Sequence, residues 1–302
     1  MIGRSILVTG ASGMLGGALV RAWRHDNLIT AISRQRIVPG AETVIGDLTT
    51  PGVAASLVEQ TRPELVVHAA AWTDVDGCEA DPVTARRINA EATGRLAEAA
   101  QSSGAAFVYI STAAVFDGKR GGYREEDPSN PVNQYGFSKL AGERATLNAH
   151  HRALVLRIDL EGWRPGRPGF VHWIIEGLRC GKTRKVCTDW IHTVIFASNV
   201  ANVIEGLWVG DACGVYHAGA EQPASNWEVA QAVASEFELD RTLLVPITSE
   251  SLRLTTIRPK NTSLVSSRLT QAIGSVVSDL GTGLTRMRLE ESGKTVRERA
   301  AT

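Results

Sequence analysis

The chain is poor in the features that mark specialised protein classes. It has four cysteines in 302 residues, Cys78, Cys180, Cys187 and Cys213, with no CxxC pair and no Cys/His cluster at zinc-ligand spacing. Reduced, structural thiols and no metal site are expected. It also lacks net charge, because 32 Lys plus Arg balance 32 Asp plus Glu. That excludes a global pull toward nucleic acid or an anionic membrane, and leaves only local basic sites for anionic ligands. No apolar run approaches the length of a membrane span. No basic leader or export segment precedes Ser5-Ile6-Leu7-Val8, so a cytoplasmic protein is expected. Repeats and low-complexity tracts are absent.

What is present is alternation. Short β-rich runs at Ser5–Thr9, Leu28–Ile32, Thr43–Ile45, Leu65–His68, Phe107–Ser111 and Ala153–Arg157 are separated by helical patterns. The helices predicted are Met14–His25, Val53–Gln60, Val83–Ser102 and Gln134–Asn148. This order predicts an α/β protein, a Rossmann-type doubly wound parallel sheet with helices on both faces. Such sheets bind ligands at the carboxyl ends of their strands, where the winding direction reverses. Near Gly162 the texture changes to the loop-like Trp163–Gly169. Helices are predicted at Phe170–Leu178, Ala197–Val209 and Asn226–Glu238, and a strand at Val215–Ala218. The expected division is a dinucleotide-binding domain over residues 1–160 and a smaller substrate lobe over 161–302, with about 190–220 returning to the main sheet. Arg297–Thr302 is expected to be a frayed tail.

The first strand runs into Thr9-Gly10-Ala11-Ser12-Gly13-Met14-Leu15-Gly16, a GxxGxxG pattern between strand and helix. Gly10 permits the tight turn, Gly13 lets backbone N–H groups approach a pyrophosphate, and Gly16 lets the helix lie close to the sheet. The helix N-terminus then faces the anion. After the second strand, Ser33-Arg34-Gln35-Arg36 offers a hydroxyl and two guanidinium groups where an NAD site usually places a carboxylate. This favours the 2′-phosphate of NADP(H).

The segment Gln134-Tyr135-Gly136-Phe137-Ser138-Lys139 carries a Tyr-xxx-Lys pair. On a helix, positions four apart share a face. An ammonium beside the phenol is expected to lower the Tyr135 pKa, so that Tyr135 can protonate a carbonyl oxygen as hydride arrives. The preceding strand ends in Ser111-Thr112, where a hydroxyl could hold that oxygen.

TGASGMLG, the segment His68–Pro82, Ile88-Asn89, STAAVFDG (Ser111–Gly118), YGFSK and the late Arg258-Pro259-Lys260-Asn261 occur in this order. Together they resemble the extended short-chain dehydrogenase/reductases. Within these the chain is most similar to dTDP-4-dehydrorhamnose reductases and to the related regulatory β subunit of methionine adenosyltransferase. The resemblance implies that Thr112 binds a carbonyl, Tyr135 donates the proton, and Lys139 holds the nicotinamide ribose. It implies that Asp47 and Leu48 contact adenine, that Ala69, Ala70 and Ala71 line the cofactor path, and that Asn89 supports the site. Candidate substrate contacts are Thr73, Val115, Phe116, Asp159, Trp190 and Asn261, with Glu161, Trp163 and His192 as further candidates.

The chain also departs from the family. Ala113 and Ala114 stand where STDYVF is usual, and Arg157-Ile158-Asp159-Leu160-Glu161 replaces an RTSW-like segment. An altered substrate pocket is expected. The resemblance implies NADPH-dependent reduction of a nucleotide-linked deoxysugar, with hydride going to a ring ketone, C4 being favoured. The alternatives are another carbonyl substrate or a cofactor-binding regulatory subunit. A homodimer through the alanine-rich faces of Val83–Ser102 and Gln134–Asn148 is compatible with the sequence, as is packing of those faces on their own sheet.

Overall fold

The computed structural model describes residues 1–163, 169–275 and 277–292. Arg164–Pro168 of the expected loop Trp163–Gly169, and the expected tail at Arg297–Thr302, lie outside these residues. Chain order begins β1 (Ser5–Thr9), α1 (Met14–Trp23), β2 (Leu28–Ser33), β3 (Glu42–Ile45), α2 (Val53–Thr61), β4 (Leu65–His68), α3 (Val75–Ala80), α4 (Pro82–Arg86) and α5 (Ala92–Ser103). It continues with β5 (Ala106–Thr112), α6 (Gln134–Ala149), β6 (Leu154–Glu161), α7 (Phe170–Arg179), β7 (Arg184–Cys187), β8 (Ile191–His192), β9 (Val194–Phe196) and α8 (Ala197–Val209). The remaining elements are β10 (Gly214–Ala218), β11 (Ala224–Ser225), α9 (Asn226–Glu236), β12 (Leu244–Ile247), α10 (Ser267–Ile273) and α11 (Leu280–Glu291).

The main sheet has the order β10-β6-β5-β4-β1-β2-β3, with β9 also on β6, and its pairings are parallel. Winding runs outward from β1 through β2 to β3, then restarts at β4 on the other side of β1. The reversal opens a crevice above the carboxyl ends of β1 and β4. This is the doubly wound Rossmann arrangement.

Side-chain alternation explains why both faces are covered. Ile6 and Val8 of β1 point into one core with Leu15 and Leu19 of α1 and Val200 and Ile204 of α8. Leu7 between them points into the other, with Leu57 of α2 and Leu96 and Ala97 of α5. A strand buried on both faces reads as a continuous apolar run rather than an alternation, which is what Ile6-Leu7-Val8 shows.

A third core is built from Val171, Ile174 and Ile175 of α7, Val229 and Val233 of α9, and Leu284 and Met287 of α11. It is joined to the sheet by Phe196 of β9, which belongs to the same cluster. Two small pairings, β12 with β7 and β11 with β8, complete this lobe.

Two local expectations need correction. Strand β6 continues from Arg157 to Glu161, because beyond its pairings with β5 and β10 its far end takes β9 as partner through Asp159↔Val194 and Glu161↔Phe196. The single helix expected at Val83–Ser102 is interrupted by a π-helical turn at Arg87–Glu91. The alanines of α5, Ala92, Ala97 and Ala100, face the chain's own sheet.

Candidate active site

A cavity of about 1080 Å³ occupies the crevice, lined by Gly10, Gly13 and Gly16 at one end and by Thr112, Tyr135 and Lys139 at the other. Gly10 is at φ +67°, and a Cβ there would lie 2.7 Å from the Ala70 backbone nitrogen. Only glycine lets the first turn pass so close to the chain leaving β4. Ser12, Met14 and Leu15 complete this end. Ala69, Ala70 and Ala71 form the floor, and Leu48 and Asp47 the flank. Asp47 is held below the usual carboxylate range by hydrogen bonds from Thr49, with Arg34 and Arg87 adding to the effect.

Ser33, Arg34 and Arg36 all border the cavity. The Ser33 hydroxyl accepts from the Arg36 backbone N–H at 3.2 Å, so the turn after β2 is braced while its two guanidinium groups stay exposed. Arg87, from the π-turn, joins the same wall. No sequence pattern singles it out, because the distortion that presents it is not periodic.

The end of the cavity at Thr112, Tyr135 and Lys139 is organised from below. Lys139 is 2% exposed, and its Nζ donates to the Ile110 carbonyl at 2.7 Å. Burial pushes its pKa down to about 7, with Glu143 opposing the shift. Tyr135 was expected to titrate low; instead, burial pushes it up to about 12, against a hydrogen bond with Thr112 that lowers it. The i,i+4 spacing does bring the two side chains to one cavity. The ammonium, however, is spent partly on a backbone carbonyl, and desolvation of the phenolate outweighs the rest. A phenol that stays protonated at neutral pH is suited to giving a proton.

Tyr135 owes its position to close packing. A Cβ at Gly136 would fall 2.4 Å from the Ala114 carbonyl oxygen, so α6 begins directly against the turn that follows Thr112. Asn133 caps this helix by accepting from the Gly136 N–H at 2.9 Å. Asn89 is fully buried and ties the parts together. It accepts from the Trp72 N–H at 2.7 Å and donates to the Trp72 carbonyl at 3.0 Å and to Ser138 Oγ at 2.9 Å.

Behind the alanine floor, His68 lies between Thr9 at 2.7 Å and Thr93 at 2.9 Å. Thr9 accepts from the Ala70 N–H, and Thr93 donates to the Asn89 carbonyl. These partners assign a neutral ring, accepting at Nδ1 and donating at Nε2. Burial and the Lys139 charge push the His68 pKa down to about 3.

A second, smaller cavity of about 230 Å³ adjoins the first through Thr112 and Asp159. Trp190, His192, Asn226, Arg258 and Ala114 also line it. Other expected contacts lie elsewhere. After Thr112 a 3-10 turn over Ala113–Val115 carries Ala113, Val115 and Phe116 into a small buried cluster. Phe116 stacks on Tyr123 at 4.2 Å. Only Ala114 of the two substituted alanines faces a cavity. Asn261 is turned to Ser263, whose N–H and hydroxyl donate to its Oδ1 at 3.2 and 2.7 Å; its neighbours Lys260 and Thr262 reach the cavity instead. Thr73 lies on the rim of the larger cavity. Trp163 packs in the lobe and donates to the Met287 carbonyl at 2.9 Å. Glu161 is buried, and burial pushes its pKa up to about 7.

Among the described residues no group of three His, Cys, Asp or Glu side chains could hold a metal ion, and no helix is long and apolar enough to cross a membrane.

The chain is 30% identical over 274 residues to the probable low-salt glycan biosynthesis reductase Agl14 of Haloferax volcanii, covering 88% of this chain and 91% of that one. It is 31% identical over 275 residues to methionine adenosyltransferase 2 subunit beta of Bos taurus, covering 88% and 81%. The crystal structure of dTDP-4-dehydrorhamnose reductase from Bacillus anthracis in complex with NADP superposes with a TM-score of 0.87 at 27% identity, covering 96% of this chain and 100% of that one. The model of the family described as the RmlD substrate binding domain matches residues 4–291, and the chain belongs to that family.

Proposed function

We propose that the protein is an NADPH-dependent oxidoreductase that reduces a ring ketone, C4 being favoured, of a nucleotide-linked deoxysugar. The observation that carries this reading is the one cavity that joins a dinucleotide turn at Gly10 to Thr112, Tyr135 and the buried Lys139. The cavity fits the cofactor. The N-terminus of α1 and the Gly10–Gly16 turn would hold the pyrophosphate, Asp47 and Leu48 would flank the adenine, and Arg34 would meet the 2′-phosphate with no carboxylate after Ile32 to repel it. When bound, NADPH supplies the hydride.

The protein's own groups do the rest. Thr112 donates a hydrogen bond to the substrate carbonyl oxygen, and Tyr135 gives that oxygen its proton. Lys139 holds positive charge beneath the site and stabilises the Tyr135 oxygen once its proton has left. Burial keeps the Tyr135 phenol protonated, the form that reduction calls on.

Likeness to a methionine adenosyltransferase β subunit favours a second reading, a cofactor-binding regulatory subunit. The two separate on one experiment, in which a panel of nucleotide-linked 4-ketosugars is screened for NADPH oxidation. Turnover of a panel member supports the enzyme; NADPH binding with no turnover on any member supports the regulatory reading.

A further inference from the structure

Two residues that line the smaller cavity, His192 and Asn226, each carry a buried polar atom without a hydrogen-bond partner among the described residues. Strands β8 and β11 pair antiparallel through His192↔Ala224 and Ile191↔Ser225, and the Asn226 N–H donates to the Trp190 carbonyl at 2.9 Å. Alternation puts Trp190 and His192 on one face, with Asn226 beside Trp190. That face is one wall of the cavity, and Thr112 and Ala114 stand in the other.

His192 Nδ1 is 3.1 Å from Asp159 Oδ2. Asp159 follows Ile158, the register partner of Thr112, so the carboxylate fixes the ring beside the reacting end. Nε2 is then the atom left over. It is buried without a hydrogen-bond partner among the described residues, and so is Asn226 Oδ1. Buried polar atoms are rarely left unpaired, and two of them on residues that line one cavity point to a ligand.

We propose that His192, held by Asp159, is a specificity-determining residue that acts with Asn226 to read a ring hydroxyl next to the reacting ketone. The inference rests on the ketosugar reading above. With Nδ1–H given to Asp159, a protonated ring offers Nε2–H as a donor. Burial lowers the His192 pKa, and Asp159 acts against this by charge and hydrogen bond, so that the net shift is upward, toward the protonated ring. Asn226 Oδ1 is an acceptor. A hydroxyl both accepts and donates, so one hydroxyl satisfies the two together. A carboxylate has no proton for Asn226, and a deoxy position satisfies neither. Ala114 offers no polar side chain from the opposite wall.

The test uses matched thymidine-diphosphate 4-ketohexoses that carry or lack the hydroxyl at C3, beside the C4 ketone. Sites built to bond a hydroxyl reject the analogue that lacks it, so wild type should prefer one hydroxylated member by about a hundredfold or more in kcat/KM. His192→Phe should bring that ratio to within about threefold, mainly through KM, and His192→Gln, which keeps a donor, should retain part of it. NADPH affinity and melting temperature, measured on each variant, should stay near wild type. A ratio unchanged in both His192 variants overturns the proposal, as does wild-type turnover without preference; either leaves the ketosugar reading standing. Absence of turnover on every member by NADPH-bound wild type removes that reading and this proposal together.

Discussion

Replacing Tyr135 by Phe removes one oxygen and keeps the ring. If the phenol gives up a proton during reduction, Tyr135→Phe should lower turnover by ~100- to 10,000-fold while NADPH binding stays close to normal. A ketosugar assay beside calorimetric titration checks both halves, and near-normal turnover would take the role from Tyr135. Lys139 predicts a pH dependence. Its pKa is pushed down to about 7, so its charge is present below that pH and lost as pH rises through it. The value of kcat/KM for NADPH, which reports ionisations of the free enzyme, should therefore fall above about pH 7. A profile flat to about pH 9 would show that the ammonium is not required. Arg34 should set cofactor choice. Hydrogen bonds between charged groups are worth ~1.5–3 kcal/mol, so NADPH should bind on the order of ten- to a hundredfold better than NADH, and Arg34→Ala should remove most of the difference. A preference that survives in calorimetry would move the role to Arg36 or Arg87, which share the wall.

Among the elements, the π-turn at Arg87–Glu91 has the widest reach. It breaks what the sequence presents as one long helix, aims Arg87 at the cavity, and places Asn89 between the chain leaving β4 and helix α6. Such turns recur at functional sites because one residue is shifted out of the helical register. Asn89→Ala would leave several buried hydrogen-bonding groups without a partner, and should destabilise the fold by ~2–4 kcal/mol. Urea denaturation would measure it, and a loss under about 1 kcal/mol would show that the three bonds are replaceable. The helix on either side was legible in the apolar spacing; the insertion was not, since a π-turn disturbs the pattern by a single residue. The 3-10 turn after Thr112 was hidden for the same reason. Ala113, Val115 and Phe116 read as neighbours of a catalytic threonine, yet three residues of tighter winding turn them into the core.

For the molecule as a whole, the junction between sheet and lobe carries the remaining prediction. Glu161 ends β6 and accepts from the Val171 N–H of α7 at 3.3 Å. Its pKa is pushed up to about 7 by burial, so the folded state holds a proton there that the unfolded chain releases near 4.5. This raised-pKa contribution is fully present below about pH 4.5 and is lost as pH rises through about 7. Glu161→Gln, neutral at every pH, should therefore gain stability over wild type progressively across that window and hold the gain above it. Parallel melting curves that stay a constant distance apart from about pH 5 to pH 8 would show that Glu161 is not protonated in the fold. By itself the sequence determined what depends on short spacing: the strand–helix alternation, the glycine turn after β1, the missing carboxylate after Ile32, and Tyr135 four residues before Lys139. Each of these is a local pattern with its own period or spacing, so it survives without knowledge of the partners. Only the tertiary structure decided that Asp159, His192 and Asn226 meet on one cavity, and that Arg87 meets Asp47. These residues come from separate elements joined by strands as short as the two residues of β8, too short to show a period. Their meeting is set by the register of β6 against β5 and β9, and register is a property of the folded sheet.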